Sequence, residues 1–217
     1  MTNNALTESF MTEFEWTRLL GTTGTSTVVD AFALTTELDG SIYIAGYTRG
    51  DLDGQTHNGG YSDAFISKYN ADGTKDWTKL LGTSNDDEAS ALTTGLDGSI
   101  YIAGVISGAS GVLDGQPFNG GYFSGGYSDA FISKYNADGT KDWTKLLGSS
   151  NNDSANALTT GLDGSIYIAG SIVGDIDGQT NNGGPDAFIS KYNADGTKEW
   201  TRLLGTTSYD YANALTT

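Results

Sequence analysis

A unit of about sixty residues is written three times in this chain, and that repetition limits the fold more than any other feature. The unit reads ALTTGLDGSIYIAG, then a Gly- and Asp-rich loop, then DAFISKYNADGTKDWTKLLG, with its middle copy running from Ala91 to Gly148. Trp16, Trp77, Trp143 and Trp200 mark one position in successive units, spaced 61, 66 and 57 residues apart. Each full unit divides into four short strands: Ala91–Thr94, Ser99–Val105, Asp129–Asn136 and Lys141–Leu147 in the middle copy. Leu96-Asp97-Gly98 and Ala137-Asp138-Gly139 join the first to the second and the third to the fourth. An Asp-Gly pair between alternating apolar residues is a strong hairpin signal. Four antiparallel strands per repeat describe one blade of a propeller. Apolar side chains fall on both faces, with Phe131 and Tyr135 against Ile132. That pattern suits a sheet covered on each side by a neighbour, because a free-standing sheet keeps one face polar.

The expected fold class is therefore all-β: a β-propeller, or a segment of one, built from four-stranded antiparallel blades. The blades occupy about 31–81, 89–147 and 155–204 within an array covering 14–217. Partial strands are expected at 14–21 and 212–217, and 1–13 matches the repeat only weakly. This makes fourteen strands, twelve of them in complete blades. A ring needs at least about four blades. Either further blades of a longer chain or further copies of this one must complete it, since orphan strands leave open edges. The loop between second and third strands is longest in the middle repeat, at Gly104–Asp129.

Charge narrows the partners. With 11 basic and 27 acidic residues the formal charge is −16, which repels nucleic acid and anionic membranes. Protein and glycan partners and cations stay compatible. The absence of cysteine excludes disulfides, thiolate metal sites and catalytic thiols. The opening MTNNALTESFMTEFEW has neither a basic n-region nor an apolar core, so it is not a Sec signal peptide. No apolar run approaches the ~20 residues that span a membrane, so membrane insertion is not expected.

One family carries the same signature. Asp87-x-Ala89-x-Ala91-Leu92, then Asp97 to Gly104, then Gly126 to Asn136, then Gly139 and Trp143 to Gly148 resemble the bacterial seven-bladed β-propeller repeat, the SBBP repeat. The likeness covers about 14–217 and recurs three times, although seven blades need about twice this length. The resemblance implies a module of large bacterial proteins, often secreted or on the cell surface; a cytoplasmic location is also compatible with the chain. It supplies no catalytic motif to transfer, so the expectation is a non-enzymatic binding or scaffold module.

In such a blade the connections alternate between two rims. The second-to-third loops and the blade-to-blade loops share one rim, and the Asp-Gly hairpins share the other. Binding usually lies on variable loops held by a rigid scaffold. Tyr61, Phe118, Tyr122, Phe123 and Tyr127 sit in or beside those loops among Gly and Asn, and are the candidate ligand-binding set. The segments around Asp51 and Asp53, Asp114, and Asp175 and Asp177 share an Asp-Gly-Gln core and invite a Ca²⁺ reading, since the ion takes six to eight oxygens. The competing reading is a plain Asp-Gly turn whose carboxylate accepts backbone N–H bonds. The alternative function is accordingly a calcium-stabilised, lectin-like propeller. Recurrence of the tryptophans at one strand position points to packing, and that of Asp63, Asp129 and Asp186 to a structural hydrogen bond. His57 is the only histidine and no nucleophile-elbow pattern accompanies it, so a hydrolase is the weakest reading.

Overall fold

A computed structural model describes residues 17, 19–21, 28–108, 112–118 and 127–216. Three sheets of four strands account for nearly all of them. β1 (Val29–Thr36), β2 (Ile42–Thr48), β3 (Asp63–Tyr69) and β4 (Lys75–Leu81) form blade 1. β5 (Asp87–Thr94), β6 (Ile100–Gly108), β9 (Tyr127–Tyr135) and β10 (Lys141–Leu147) form blade 2, with β7 (Val112–Leu113) and β8 (Gln116–Pro117) as a small hairpin between β6 and β9. β11 (Ser154–Thr160), β12 (Ile166–Ile172), β13 (Asp186–Tyr192) and β14 (Lys198–Leu204) form blade 3. Strand order follows chain order in every blade and all pairings are antiparallel. Over the described residues the chain is thus all-β, with three complete propeller blades.

Fourteen strands are present among the described residues, but two belong to the β7–β8 hairpin. The strand expected at 212–217 is absent over 212–216, because no second strand lies beside it to pair with among the described residues. Of 14–21 only residues 17 and 19–21 are described, and they form no strand.

Each first strand bulges at one residue: Phe32, Ser90 and Asn156 are skipped in the register. A bulge bends its strand toward the partner. The partner there is the glycine of Ile-Ala-Gly, and a Cβ on Gly104 would lie 1.9 Å from the Glu88 carbonyl oxygen. Gly46 and Gly170 stand equally close to Asp30 and Ser154. The motif repeats because the bulge leaves no room for a side chain.

The core lies between blades. Tyr43, Ala45, Ile66 and Leu81 of blade 1 pack against Ile100, Ile102, Phe131 and Tyr135 of blade 2. Tyr101, Ala103, Ile132 and Leu147 of blade 2 pack in the same way against Ile166, Ile168, Phe188 and Tyr192 of blade 3. Alternation along one strand therefore feeds two different cores, as expected for a sheet covered on both faces. The tryptophans close these junctions. Trp77 Nε1 donates to the Ala137 carbonyl at 3.2 Å and Trp143 Nε1 to that of Ala194 at 3.3 Å, each in the next blade's hairpin. Their rings also tilt against Tyr43 and Tyr101.

Candidate binding rim

The rim opposite those hairpins collects the loops that differ between blades. Each second-to-third loop begins with a small hairpin that the sequence writes as an Asp-Gly pair between an aliphatic residue and Gln. Leu52 and Gln55 exchange both backbone hydrogen bonds, at 3.0 and 2.9 Å. Asp53 at φ 53° and Gly54 at φ 76° form the turn. Two central residues with positive φ make the tight hairpin turn in which Asp-Gly is favoured. Asp114-Gly115 and Asp177-Gly178 repeat it with φ values of 49° and 77°, and 50° and 72°. Leu52, Leu113 and Ile176 bury their side chains into the blade and seat the hairpin.

The turn aspartates are anchored as well. Thr78 Oγ1 donates to Asp53 Oδ2 at 2.6 Å, and Lys75 pairs with the same carboxylate. Asp114 takes Thr144 at 2.6 Å and Lys141 at 2.5 Å; Asp177 takes Thr201 at 2.6 Å and Lys198 at 2.5 Å. A buried serine hydroxyl extends each network, with Ser67 2.7 Å from Thr78. Burial raises the Asp177 carboxyl, but hydrogen bonds from Lys198 and Thr201 and the Lys198 charge leave it below the usual range. Asp51 and Asp175 accept the backbone N–H groups of His57 and Asn181 at 2.9 and 2.8 Å. All five residues of the calcium expectation thus have protein partners. Among the described residues no group of three or more His, Cys, Asp or Glu side chains is placed to hold a metal ion.

The blade-to-blade loops meet the segments that open the third strands on this same rim, as the alternation of connections requires. Asp87 N–H donates to Ser62 O at 2.8 Å, and Asp153 N–H to Ser128 O at 2.7 Å. The Asp87 carboxylate accepts from Thr83 N–H at 2.5 Å, from the Thr83 hydroxyl, and from Ser107 N–H at 3.0 Å. Asp153 repeats this with the Ser149 N–H and hydroxyl and with Val173 N–H at 2.8 Å. Burial pushes Asp87 up to about 7, against the donors from Thr83 and Ser107, and neighbouring Asp63 adds to the rise. Burial likewise carries Asp153 to about 6, with Asp129 adding. The sequence signal was present but not read: Gly-Thr or Gly-Ser followed by an aspartate four residues after the hydroxyl, at 83 and 87, 149 and 153, 206 and 210.

Asp63 and Asp186 open their third strands and hold the loop before them. Asp63 Oδ2 accepts from Asn58 N–H at 2.7 Å and its side-chain amide at 3.0 Å; Asp186 Oδ2 does the same with Asn182. Burial raises Asp63, against donors from Asn58 and the nearby His57. His57 Nδ1 accepts from Gly59 N–H at 3.2 Å, and Nε2 faces Asp63 Oδ1 at 3.7 Å. One imidazole nitrogen is thus hydrogen-bonded to backbone and the other directed at a carboxylate.

The aromatic candidates separate. Tyr61 is 58% exposed, and the Arg49 guanidinium stacks on its ring 3.8 Å from the centroid. Arg49 also donates to Tyr47 Oη at 3.2 Å, and Tyr47 Oη donates to Asp30 at 2.6 Å. Phe118 packs against the core between blades 1 and 2, close to Gly108, and does not stand out from the rim. Tyr127 opens β9 opposite Gly108. Tyr122 and Phe123 lie outside the described residues. Sequence reasoning missed Arg49, which replaces Ser107 and Val173 of the other blades.

Fold and rim together define a β-propeller repeat protein with a rigid frame and one rim of blade-specific side chains. The model of a β-propeller family described as a domain of unknown function, DUF5122, matches residues 38–78 and 120–144. The first match covers β2 and β3 and ends within β4; the second covers β9 and the start of β10. Over 187 residues the chain is 30% identical to the regulatory protein FlaEY of Caulobacter vibrioides, a match covering 81% of this chain and 20% of that protein. The chain thus spans about a fifth of the length of that curated relative.

Proposed function

We propose that the chain is a non-enzymatic binding scaffold that docks a protein partner on the rim of second-to-third loops. The observation that carries this is the division of labour between rims. One rim repeats nearly the same Asp-Gly hairpins in every blade, and those joining third to fourth strand in blades 2 and 3 receive the neighbouring tryptophan. The other anchors its loop bases by a shared Asp–Thr–Lys device and varies what it displays, with the exposed Arg49–Tyr61 stack in blade 1 alone. Rigid bases with variable tips are the arrangement that binding surfaces use. The word regulatory in the relative's name supports a protein partner in preference to a substrate. His57 Nδ1 accepts the Gly59 N–H and Nε2 is buried without a hydrogen-bond partner among the described residues, so neither nitrogen is presented to a substrate, which weighs against a hydrolase. The likeness to the bacterial seven-bladed repeat supports a secreted or cell-surface setting.

The test places a photo-reactive amino acid at Tyr61 on this rim and, separately, at Asp72 on the opposite rim, in cells that produce the protein. The scaffold reading expects discrete protein adducts from position 61 and not from 72. Equal adducts from both positions, or binding seen only on a glycan array and only with calcium, would overturn it, the latter in favour of the lectin-like alternative.

A further inference from the structure

The two internal junctions show what the outer face of a blade requires. In blade 1 Tyr43, Ile66 and Leu81 face blade 2 and are buried, Leu81 to 3% exposure. In blade 2 the equivalent Tyr101, Ile132 and Leu147 are buried by blade 3, Leu147 to 2%. On blade 3 these positions are Tyr167, Ile189 and Leu204. Here the first two are only partly buried and Leu204 is 79% exposed. The same side chains, in the same sheet positions, lack the cover that both other blades have.

Among the described residues, only 206–216 lie over that face. They take the position of a next blade's first strand. Asp210 N–H donates to Pro185 O at 2.7 Å, as Asp87 and Asp153 do to Ser62 and Ser128, and Thr206 N–H donates to the Asp210 carboxylate. An apolar cavity of about 510 Å³ remains beside them, bounded by Leu162, Tyr167, Ile189 and Leu215. At the internal junctions the second strand of the next blade fills such space, with Ile100 and Ile102 or Ile166 and Ile168 fully buried.

The matching half of the junction is on the other end of the chain. Ile42 and Ile44 in β2 are the counterparts of those isoleucines and are only partly buried. β1, which covers β2 on its edge, is the least buried first strand, with Phe32 and Leu34 exposed. Residues 212–216 read Ala-Asn-Ala-Leu-Thr, and residues 31–35 of β1 read Ala-Phe-Ala-Leu-Thr. The first therefore suits the partner of β2 as well as the second does.

From this we infer that a second copy of the chain seats its β2–β4 sheet on the outer face of blade 3, head to tail. Residues 212–216 replace that copy's β1 alongside its β2. In the register of β1, Leu34 stands opposite Ile44, so Leu215 of one copy stands opposite Ile44 of the other. Such an interface is heterologous and grows toward a closed ring. The inference concerns the blade faces and is independent of what the rim binds.

The chain lacks cysteine, so introduced thiols report without background. Leu215→Cys protein mixed with Ile44→Cys protein is oxidised, and separately the unmodified chain is run through light scattering at about 0.15 M salt, which screens the charge of −16. The expected result is a concentration-dependent dimer or larger ring, an inter-chain disulfide in the mixture, and association weakened at least about tenfold by Leu204→Asp. Leu204 is exposed in the single chain, so the same variant should keep the wild-type melt when dilute; a loss of association together with a lowered dilute melt counts against the interface. A strictly monomeric chain at ~100 μM, as expected if only further blades of a longer polypeptide cover the face, overturns the inference. So does a dimer that forms no 215–44 disulfide and is indifferent to Leu204→Asp.

Discussion

Thr78 donates its hydroxyl to Asp53 at 2.6 Å, joining the tip of a rim hairpin to the fourth strand of its own blade. Their separation along the chain is 25 residues, yet Thr144 with Asp114 and Thr201 with Asp177 repeat the contact. A threonine in the middle of the Trp-Thr motif is therefore a loop anchor as well as a strand residue. Thr78→Val keeps the strand shape and removes the donor. It should cost about 1–3 kcal/mol, the usual result of leaving a part-buried acceptor short of a bond. The check is a denaturant titration, together with faster hydrogen exchange at Leu52 and Gln55. An unchanged midpoint would assign the anchoring to Lys75 alone.

The buried aspartates set a pH dependence. The Asp87 carboxyl rises from an ordinary 3.8 to about 7 and Asp153 to about 6, burial being the main cause of both. A folded state that holds a proton more tightly than the unfolded chain gains stability below the unfolded value and loses it as pH rises through the folded value. The melting temperature should accordingly fall between about pH 4 and pH 7. Asp163 and Asp195, held below the usual range by backbone and side-chain hydrogen bonds from Ser165 and Thr197, act in the opposite sense and only below about 3.8. The double variant Asp87→Asn, Asp153→Asn should flatten the slope above pH 4. A wild-type melt that climbs steadily from pH 4 to 7 would contradict this account.

The rim acids have protein partners, and calcium would have to displace Lys75, Lys141 and Lys198 to reach them. Melts in calcium and in EDTA at equal ionic strength should therefore coincide. A site filled at 100 times its Kd would instead add ~2.7 kcal/mol, a shift of several degrees.

Two glycines should respond differently to one methyl group. Gly98 has φ 76° and open space around it, so Gly98→Ala meets only backbone strain of about 1 kcal/mol. Gly104→Ala drives a Cβ into the Glu88 carbonyl, which belongs to the bulged backbone and cannot rotate away. It should lower the melting temperature far more than Gly98→Ala does, and a comparable shift from both would count against the bulge as the cause.

Much of this fold follows from residues close together in sequence. Period, strand alternation and Asp-Gly turns are local properties, and they place β10 at Lys141–Leu147 and the hairpins where they occur. The packing role of the tryptophans also follows from their regular position. By itself, then, the sequence determined the blade, its repetition and the pairing of strands within it. What it left open depends on groups brought together from different strands. The Asp-x-Asp-Gly-Gln loop reads as a calcium loop or a capped turn, and only the fold shows that Lys75 and Thr78 reach Asp53 from β4. Phe118 reads as a rim aromatic until blade 1 offers it a core to fold against. In the sequence Asp87 is one of 27 acidic residues, whereas in the fold it is buried, and burial raises its proton affinity. Tertiary structure decided these cases because desolvation and hydrogen-bond partners depend on distance in space, and neighbouring residues in the chain do not report it.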